Sequence, residues 1–597
     1  MHIESLNYPF DIQYILRKRK SIKSELCQKE GLTDLKIAIL GGSTTSEIVS
    51  IFELFLLKEG FRPTFYESEY GKYYEDVLID DTNIRNFRPD IAFIHTTHVN
   101  LLNLPELFDT QEKVDFCLKS ELDHYYNIWN KLTDDIGCLV IQNNFDLFPI
   151  RSLGGLDSTV LFGKTNFITR LNLEFASAAR LNPKLIINDI HYLSAQIGLN
   201  QWFDTEFWLS YKMAVSHVGT INLAHSLTKL VRAALGNTRK CLVLDLDNTL
   251  WGGVIGDDGM HGIQLGKETA QGEAFTAFQL YCEELNKRGI LLAVCSKNEL
   301  INAQQGFTHP DTVLKLKHFT SFQANWEPKP NNIERIATEI NIGIDSLVFI
   351  DDNPAERALV FAQLPQVAVP NVGSEVIRFA EFIDREGYFE VTGINTDDEQ
   401  RSSFYADNNE RITYQKQFTD YSDFLASLDM KAEIGAFSPT YIDRIAQLTN
   451  KTNQFNLTTK RYTLAEIESI AKSPEYITLY GRLADRFGDN GLVTIVSGKI
   501  NAQQLHIDLW LMSCRVLKRD MEHAMLDALV AKAIERGVIE VLGYYYRTQK
   551  NDMVADHFSK LGFDLVAKAD DDSNSTWKIN LKNYVSINRN IKDITYV

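Results

Sequence analysis

The feature that most constrains this chain is a set of short apolar runs that stop abruptly at polar residues. In its middle third, "CLVLDLD", "ILLAVCSKN" and "SLVFIDD" each read as a buried strand. Helical patterns such as "EAFTAFQLYCEELNKRG" lie between them, and strands alternating with helices imply a doubly wound parallel sheet. Such a sheet presents the carboxyl ends of its strands to the ligand crevice. Asp245 and Asp247 leave the first run, and Asp351 and Asp352 end the last. Carboxylates brought close together repel and raise one another's pKa. A hard divalent cation relieves that repulsion, and oxygen ligands with room for water and phosphate suit Mg²⁺. Between the acidic ends stand Ser296, after an apolar strand, and Lys329 in "NWEPKPNNI". A hydroxyl and an ammonium are the donors that a phosphoryl group wants.

The same alternation predicts the wider organisation. With 597 residues, and about 100–200 residues per domain, three or four domains are expected. Residues 1–232 carry "KIAILGGSTTSEI", "DIAFIHTTHVN", "GCLVIQNNFDLFP" and "KLIINDIHYLSAQIG", which predict a doubly wound α/β domain. Residues 233–372 form the second α/β unit, and residues 373–430 read as a charged, helical connecting segment. From 431 to 597 the rhythm changes to consecutive strands around a long helix, an α+β order.

Composition excludes several function classes. A formal charge of -18 at pH 7 argues against a broad nucleic-acid surface, which needs clustered cations. The seven cysteines are Cys27, Cys117, Cys138, Cys241, Cys282, Cys295 and Cys514, with no CxxC pair, which fits reduced thiols. No signal-peptide order and no apolar run near ~18 residues occurs, so no membrane span and a cytoplasmic location are expected.

The middle constellation resembles the haloacid dehalogenase (HAD) phosphohydrolases. The match runs through Asp245, Asp247 and Thr249, then Ser296, then Lys329, then Asp351 and Asp352. The resemblance implies that Asp245 is the nucleophile and that Asp247 is the acid–base. It implies that Thr249, Ser296 and Lys329 hold phosphate, and that Asp245, the Asp247 carbonyl, Asp351 and Asp352 surround Mg²⁺. The gaps between motifs are too short for a cap domain, so the site should admit a phosphate carried on a large molecule.

The wider sequence, including "KCLVLDLDNTLWGGVIGDDG", "LVFIDDNPAER", "KTNQFNLTTKRY" and "SCRVLKR", resembles the FkbH-like family, HAD subfamily IIIC. That resemblance implies a glyceryltransferase/phosphatase. Its donor would be a phosphorylated three-carbon compound, 1,3-bisphosphoglycerate, and its acceptor the phosphopantetheine thiol of an acyl carrier protein. The last domain resembles the GNAT acetyltransferases, but "RVLKRDMEHAML" has Lys518, or Asp520 and Glu522, where that fold's pyrophosphate loop has glycines. Acidic side chains there would repel a pyrophosphate. Cys514 ends a strand just before that helix, beside Arg515, and a helix N-terminus and cations lower a thiol pKa. It is therefore the candidate acyl carrier, with Cys295 as its rival and Asn453, Asn456 and Asp485 as polar neighbours. The first domain faintly resembles SGNH hydrolases through Ser43 on the "GGSTT" turn, with Asp189 and His191 as an acid–base candidate at altered spacing. Ser43 also reads as a helix cap or a ligand-binding turn. The competing function is a HAD phosphatase of another substrate whose flanking domains only bind.

Overall fold

The computed structural model describes residues 3–393, 408, 410–411, 414–415, 417–452, 455–462, 464–513, 516–548, 551–569 and 573–597. The chain divides into two compact units, Met1–Ala234 and Leu235–Val597.

The first unit is built on β1 (Thr33–Gly41), β2 (Phe61–Glu67), β3 (Ile91–His95), β4 (Leu139–Asn143) and β5 (Leu185–Asn188). They form one parallel sheet in the order β2-β1-β3-β4-β5. Four of these strands are the apolar runs read from the sequence. The fifth, β2, lies at the sheet edge, where Pro63 removes no needed ladder donor. Helix Ser46–Lys58 buries Ile48, Ile51, Phe52 and Phe55, and helix His217–Ala234 buries Leu223, Leu227 and Val231.

The second unit begins with a four-stranded parallel sheet. Its strands are β6 (Cys241–Leu244), β7 (Leu291–Ser296), β8 (Phe319–Ala324) and β9 (Leu347–Ile350), in the order β8-β7-β6-β9. Leu244 pairs with Ile350, so the acids that follow both strands emerge side by side. Val243, Ala293, Cys295 and Phe349 pack with Ile333, Ile336 and Val360. The expected connecting segment is not free-standing where it is described. Helix Phe379–Glu386 sets Phe379 edge-to-face on Phe278 at 5.5 Å, and Phe424, Leu425 and Leu428 belong to the core of the last domain. Apolar side chains on these pieces make them part of the neighbouring packed layers. Most of residues 394–416 lie outside the described residues.

The last part carries β10 (Lys431–Gly435), β11 (Tyr476–Asp485), β12 (Gly488–Asn501), β13 (Gln504–Met512), β14 (Glu540–Tyr546), β15 (Asp564–Lys568), β16 (Asn574–Asn580) and β17 (Asp593–Tyr596). They form one mixed sheet in the order β15-β16-β14-β13-β12-β11-β10-β17. Helix Met521–Glu535 packs Met521, Met525, Leu526 and Leu529 into its core. β15, β16 and β17 follow helix His557–Lys560, and β15 and β17 are largely exposed and carry little apolar signal.

Asp485, expected from sequence to be a polar neighbour of the Cys514 thiol, is a buried anchor. Its carboxylate accepts from Arg411 Nε at 2.6 Å and Nη2 at 2.8 Å, and from Arg519 Nη1 at 3.1 Å. Removing one partner of a buried charge cluster leaves the others uncompensated. Asp485→Ala should therefore destabilise this domain by roughly 3–5 kcal/mol in denaturant melts followed through Trp510 fluorescence. A loss below about 1 kcal/mol would mean that the cluster behaves as a solvated surface pair.

Candidate active site

The parallel sheet of the second unit brings the acids together by register. Asp245 N donates to Ile350 O at 3.0 Å, which fixes the end of β6 against the end of β9. Carboxylate oxygens of Asp245, Asp351 and Asp352 lie within 4.8 Å of one another. Lys329 begins helix Lys329–Glu339 and is 3% exposed. Its ammonium lies 2.9 Å from Asp245 Oδ1 and also donates to Asp351 Oδ2. Burial by itself would lower the Lys329 pKa, but Asp245 and Asp351 outweigh it and raise it. Burial, then the Asp245 charge, pushes the Asp351 carboxyl up to about 6 against the pull of Lys329. Burial and Asp245 raise Asp352 as well.

The loop after β9 is held by groups that the sequence reading passed over. Arg357 Nη1 donates to the carbonyls of Asp351 at 2.6 Å, Asp352 at 2.8 Å and Gly373 at 3.0 Å. Thr249, buried, accepts from Asp352 N at 3.2 Å, so this motif residue braces the acidic loop. Asp247 faces differently from the three clustered acids. Its carboxylate accepts from Trp251 Nε1 at 2.9 Å, Ile255 N at 3.1 Å and Asn298 Nδ2 at 2.8 Å. Asn298 also donates to Ser296 Oγ at 3.3 Å, which links the second motif to the first. Asn298 follows β7 in "CSKN", but nothing in the sequence couples it to an acid 51 positions earlier. Trp251 is locked in turn by Phe307, edge-to-face at 5.3 Å, and by Gly306, where a Cβ would meet Trp251 Cη2 at 2.7 Å.

The donor set fits a hard divalent cation. Three carboxylates converge, two of them buried, and Asp245 Oδ1 is buried without a well-aligned hydrogen bond although it stands at ion-pair distance from Lys329. Oxygen-only ligands of this kind suit Mg²⁺-like ions. The Asp247 carboxylate is outside this cluster, which leaves its main-chain carbonyl as the contribution expected from the resemblance.

The other sequence candidates fare differently. Asp189 caps helix Ile190–Ile197, accepting from Tyr192 N at 3.1 Å and from Asn144 Nδ2 at 2.7 Å. His191 Nδ1 instead meets Phe145 O at 3.3 Å, so Asp189 and His191 form no acid–base pair. Ser43 is buried and its Oγ has no hydrogen-bond partner among the described residues, so it does not cap the following helix. Asn456 is buried and structural. Its Oδ1 accepts from Thr459 N at 2.9 Å, and its carbonyl accepts from Asn551 Nδ2 at 3.0 Å. Cys295 is buried, its thiol is directed to Lys329 O at 3.7 Å, and burial pushes its pKa up, so it is a poor nucleophile. Asn453, Cys514 and Arg515 lie outside the described residues. No helix among the described residues is long and apolar enough to cross a membrane.

The raised Asp351 pKa has a thermodynamic consequence. The native state binds this proton more tightly than the unfolded chain, whose aspartates titrate near 4. Its stabilisation is complete below that unfolded value and is lost as pH rises through about 6, by up to about 3 kcal/mol without cation. Wild type should therefore lose more stability than Asp351→Asn between about pH 5 and about pH 7, and divalent cation should cancel the difference at the upper pH. Identical pH slopes for the two proteins would refute this.

Residues 36–230 match the family model described as "FkbH, N-terminal domain". Among solved structures, the chain is similar to the N-terminal part of a Bacteroides fragilis protein containing a phosphatase domain complexed with Mg. The identity is 31% and the TM-score 0.58, over 63% of this chain and 99% of that one. The last domain also aligns with the ribosomal-protein-S18-alanine N-acetyltransferase of Escherichia coli, at 10% identity and TM-score 0.20 over 26% of this chain and 99% of that one. A further alignment is with the PaiA N-acetyltransferase of Thermoplasma acidophilum in complex with coenzyme A, at 15% identity and TM-score 0.19 over 25% and 99%. Those two likenesses are too slight to carry an argument. No curated protein matches the chain. The agreement of the first-domain model with a solved structure that is matched over nearly its whole length places the chain in the FkbH-like family.

Proposed function

We propose that the chain is a bifunctional glyceryltransferase/phosphatase. In this reading it takes a phosphoglyceryl group from 1,3-bisphosphoglycerate, removes its phosphate at the HAD-type site, and loads glyceryl on the phosphopantetheine thiol of an acyl carrier protein. The observation that carries the phosphatase half is the Lys329 ammonium lodged between Asp245 and Asp351 at the ends of adjacent strands. The Mg-bound relative with a phosphatase domain supports it.

The chemistry divides among the side chains by position. The Asp245 carboxylate attacks phosphorus, and the bond from phosphorus to the leaving oxygen breaks. Asp247, aimed by Trp251, Ile255 N and Asn298, gives that oxygen a proton. It then takes a proton from the water that releases phosphate and frees Asp245. Lys329 and Ser296 bind phosphoryl oxygens. Asp245, Asp351, Asp352 and the Asp247 carbonyl would hold Mg²⁺, which would neutralise phosphoryl charge there.

The short segments between the motifs support a tethered substrate. Among the described residues, the stretch from Thr249 to Ser296 holds two helices, Ile255–Gly262 and Ala270–Lys287, before β7. The stretch from Ser296 to Lys329 holds helix Leu300–Gly306, one 3₁₀ turn and β8. Neither is a cap domain. The transfer half rests on Cys514. Its thiolate would attack the acyl-phosphate carbonyl, inorganic phosphate would leave, and the resulting thioester would exchange with the carrier thiol.

Asp245→Asn is nearly isosteric and should abolish phosphate release from a folded protein; release at the wild-type rate would exclude Asp245 as the nucleophile. Chelation should stop release and Mg²⁺ should restore it. Cys514→Ala should lose carrier loading, read by intact-mass spectrometry of the carrier, yet keep hydrolysis of a simple phosphate ester. Normal loading by that variant would move the transfer site elsewhere and favour a phosphatase with flanking binding domains.

A further inference from the structure

The carboxyl ends of β1 and β3 in the first unit take no part in the chemistry above, yet they are lined with buried polar groups. The strand order reverses here, since β1 connects onward to β2 on one side and β3 to β4 on the other. Such a reversal opens a crevice at the strand ends. Gly41 pairs with His95, and Gly42 N donates to His95 O at 2.9 Å. Paired residues of a parallel ladder point their side chains to one face. A Cβ on Gly41 would meet Thr45 Cγ2 at 2.5 Å, so the start of helix Ser46–Lys58 folds over the face on which His95 stands. Ser43 lies in the turn between them.

The hydrogen-bond network fixes the His95 tautomer. Ser226 Oγ donates to Asn188 Oδ1 at 2.8 Å, and Asn188 Nδ2 donates to Asn143 Oδ1 at 2.7 Å. The Asn143 amide nitrogen therefore faces His95 Nδ1, at 2.9 Å, and that ring nitrogen accepts. Burial holds His95 far below the ordinary imidazole range, at about 4, so the neutral ring carries its proton on Nε2. That N–H is buried and meets no acceptor among the described residues, and the buried Ser43 hydroxyl has no partner among them either. Thr45 gives its hydroxyl to Glu67 at 2.6 Å, so the first-turn amides of the helix lack a side-chain cap. Donors without acceptors, beside the positive end of a helix, call for an oxyanion.

The acids around the crevice are each engaged. Asp146 accepts from His98 N at 2.9 Å and Trp202 Nε1 at 2.8 Å, and its Oδ1 lies 3.0 Å from His98 Nδ1. Glu67 is taken by Thr45, and Glu47 by His217 at 2.9 Å. The turn is covered by residues 211–212, through Thr44 Oγ1 to Tyr211 O at 2.7 Å and Thr44 N to Lys212 O at 2.9 Å, so an occupant must be small.

We infer that this crevice binds the carboxylate or phosphate group of a small metabolite, through Ser43 Oγ, His95 Nε2–H and the first-turn amides of helix Ser46–Lys58. The test uses the full chain, with sodium glycerate and sodium phosphate as separate probes. Crystals soaked in each should show an oxyanion between Ser43 and His95 in one arm, and that arm identifies the source. An ordered water alone in both arms overturns the inference. In solution, Ser43→Ala and His95→Gln should each weaken binding of the successful probe by about tenfold. Asp245→Asn should bind it at this crevice as wild type does, which separates this site from the phosphatase centre. Unchanged affinity in Ser43→Ala overturns the inference even if His95→Gln fails to fold.

Discussion

A lysine ammonium that is 3% exposed must be neutralised where it lies, because moving a charge out of water is otherwise costly. Lys329 meets that requirement with Asp245 and Asp351, and the rest of the site is arranged around the triplet. The two aspartates can reach one ammonium because β6 and β9 are neighbours in register. The helix that starts at Lys329 packs Ile333 and Ile336 under the same sheet. Arg357 then holds the carbonyls of Asp351, Asp352 and Gly373 behind the acidic loop, so the carboxylates are kept close although they repel. A site held this way is strained electrostatically until a cation enters.

The second constraint is the separation of Asp247 from that cluster. Asp245 points to the ammonium and the other acids, while Asp247 is gripped by the indole of Trp251 and the amide of Asn298. Two carboxylates two positions apart thereby acquire different surroundings, which is what distinct nucleophilic and proton-transfer roles need. Trp251 is itself fixed by the absence of a side chain at Gly306 and by Phe307.

Much of this was legible in the sequence because a parallel strand announces both its core and its reactive end. The acids and Ser296 follow apolar runs, Lys329 opens the helix after β8, and the structure brings them together. Pairings across long separations were not legible. Asn298 to Asp247 and Arg357 to its carbonyls depend on three-dimensional register, and Asn and Arg are common on loops. Asp189 and His191 resembled a relay, but Asp at a strand-to-helix junction caps the helix, and here it does. The pairing of Asp485 with two arginines far apart in sequence was likewise hidden. Strand β2 was hidden by Pro63 and by its half-buried edge position. The contact by which the Thr249 hydroxyl accepts from the Asp352 amide was not legible either.

The central claim is that phosphate passes through a covalent bond to Asp245. The most direct measurement is acid quench of the working enzyme followed by borohydride reduction, which converts an aspartyl phosphate to homoserine, and peptide mass mapping. The account predicts homoserine at position 245, dependent on substrate and Mg²⁺. Reduction at another aspartate, or none during steady turnover, would contradict it.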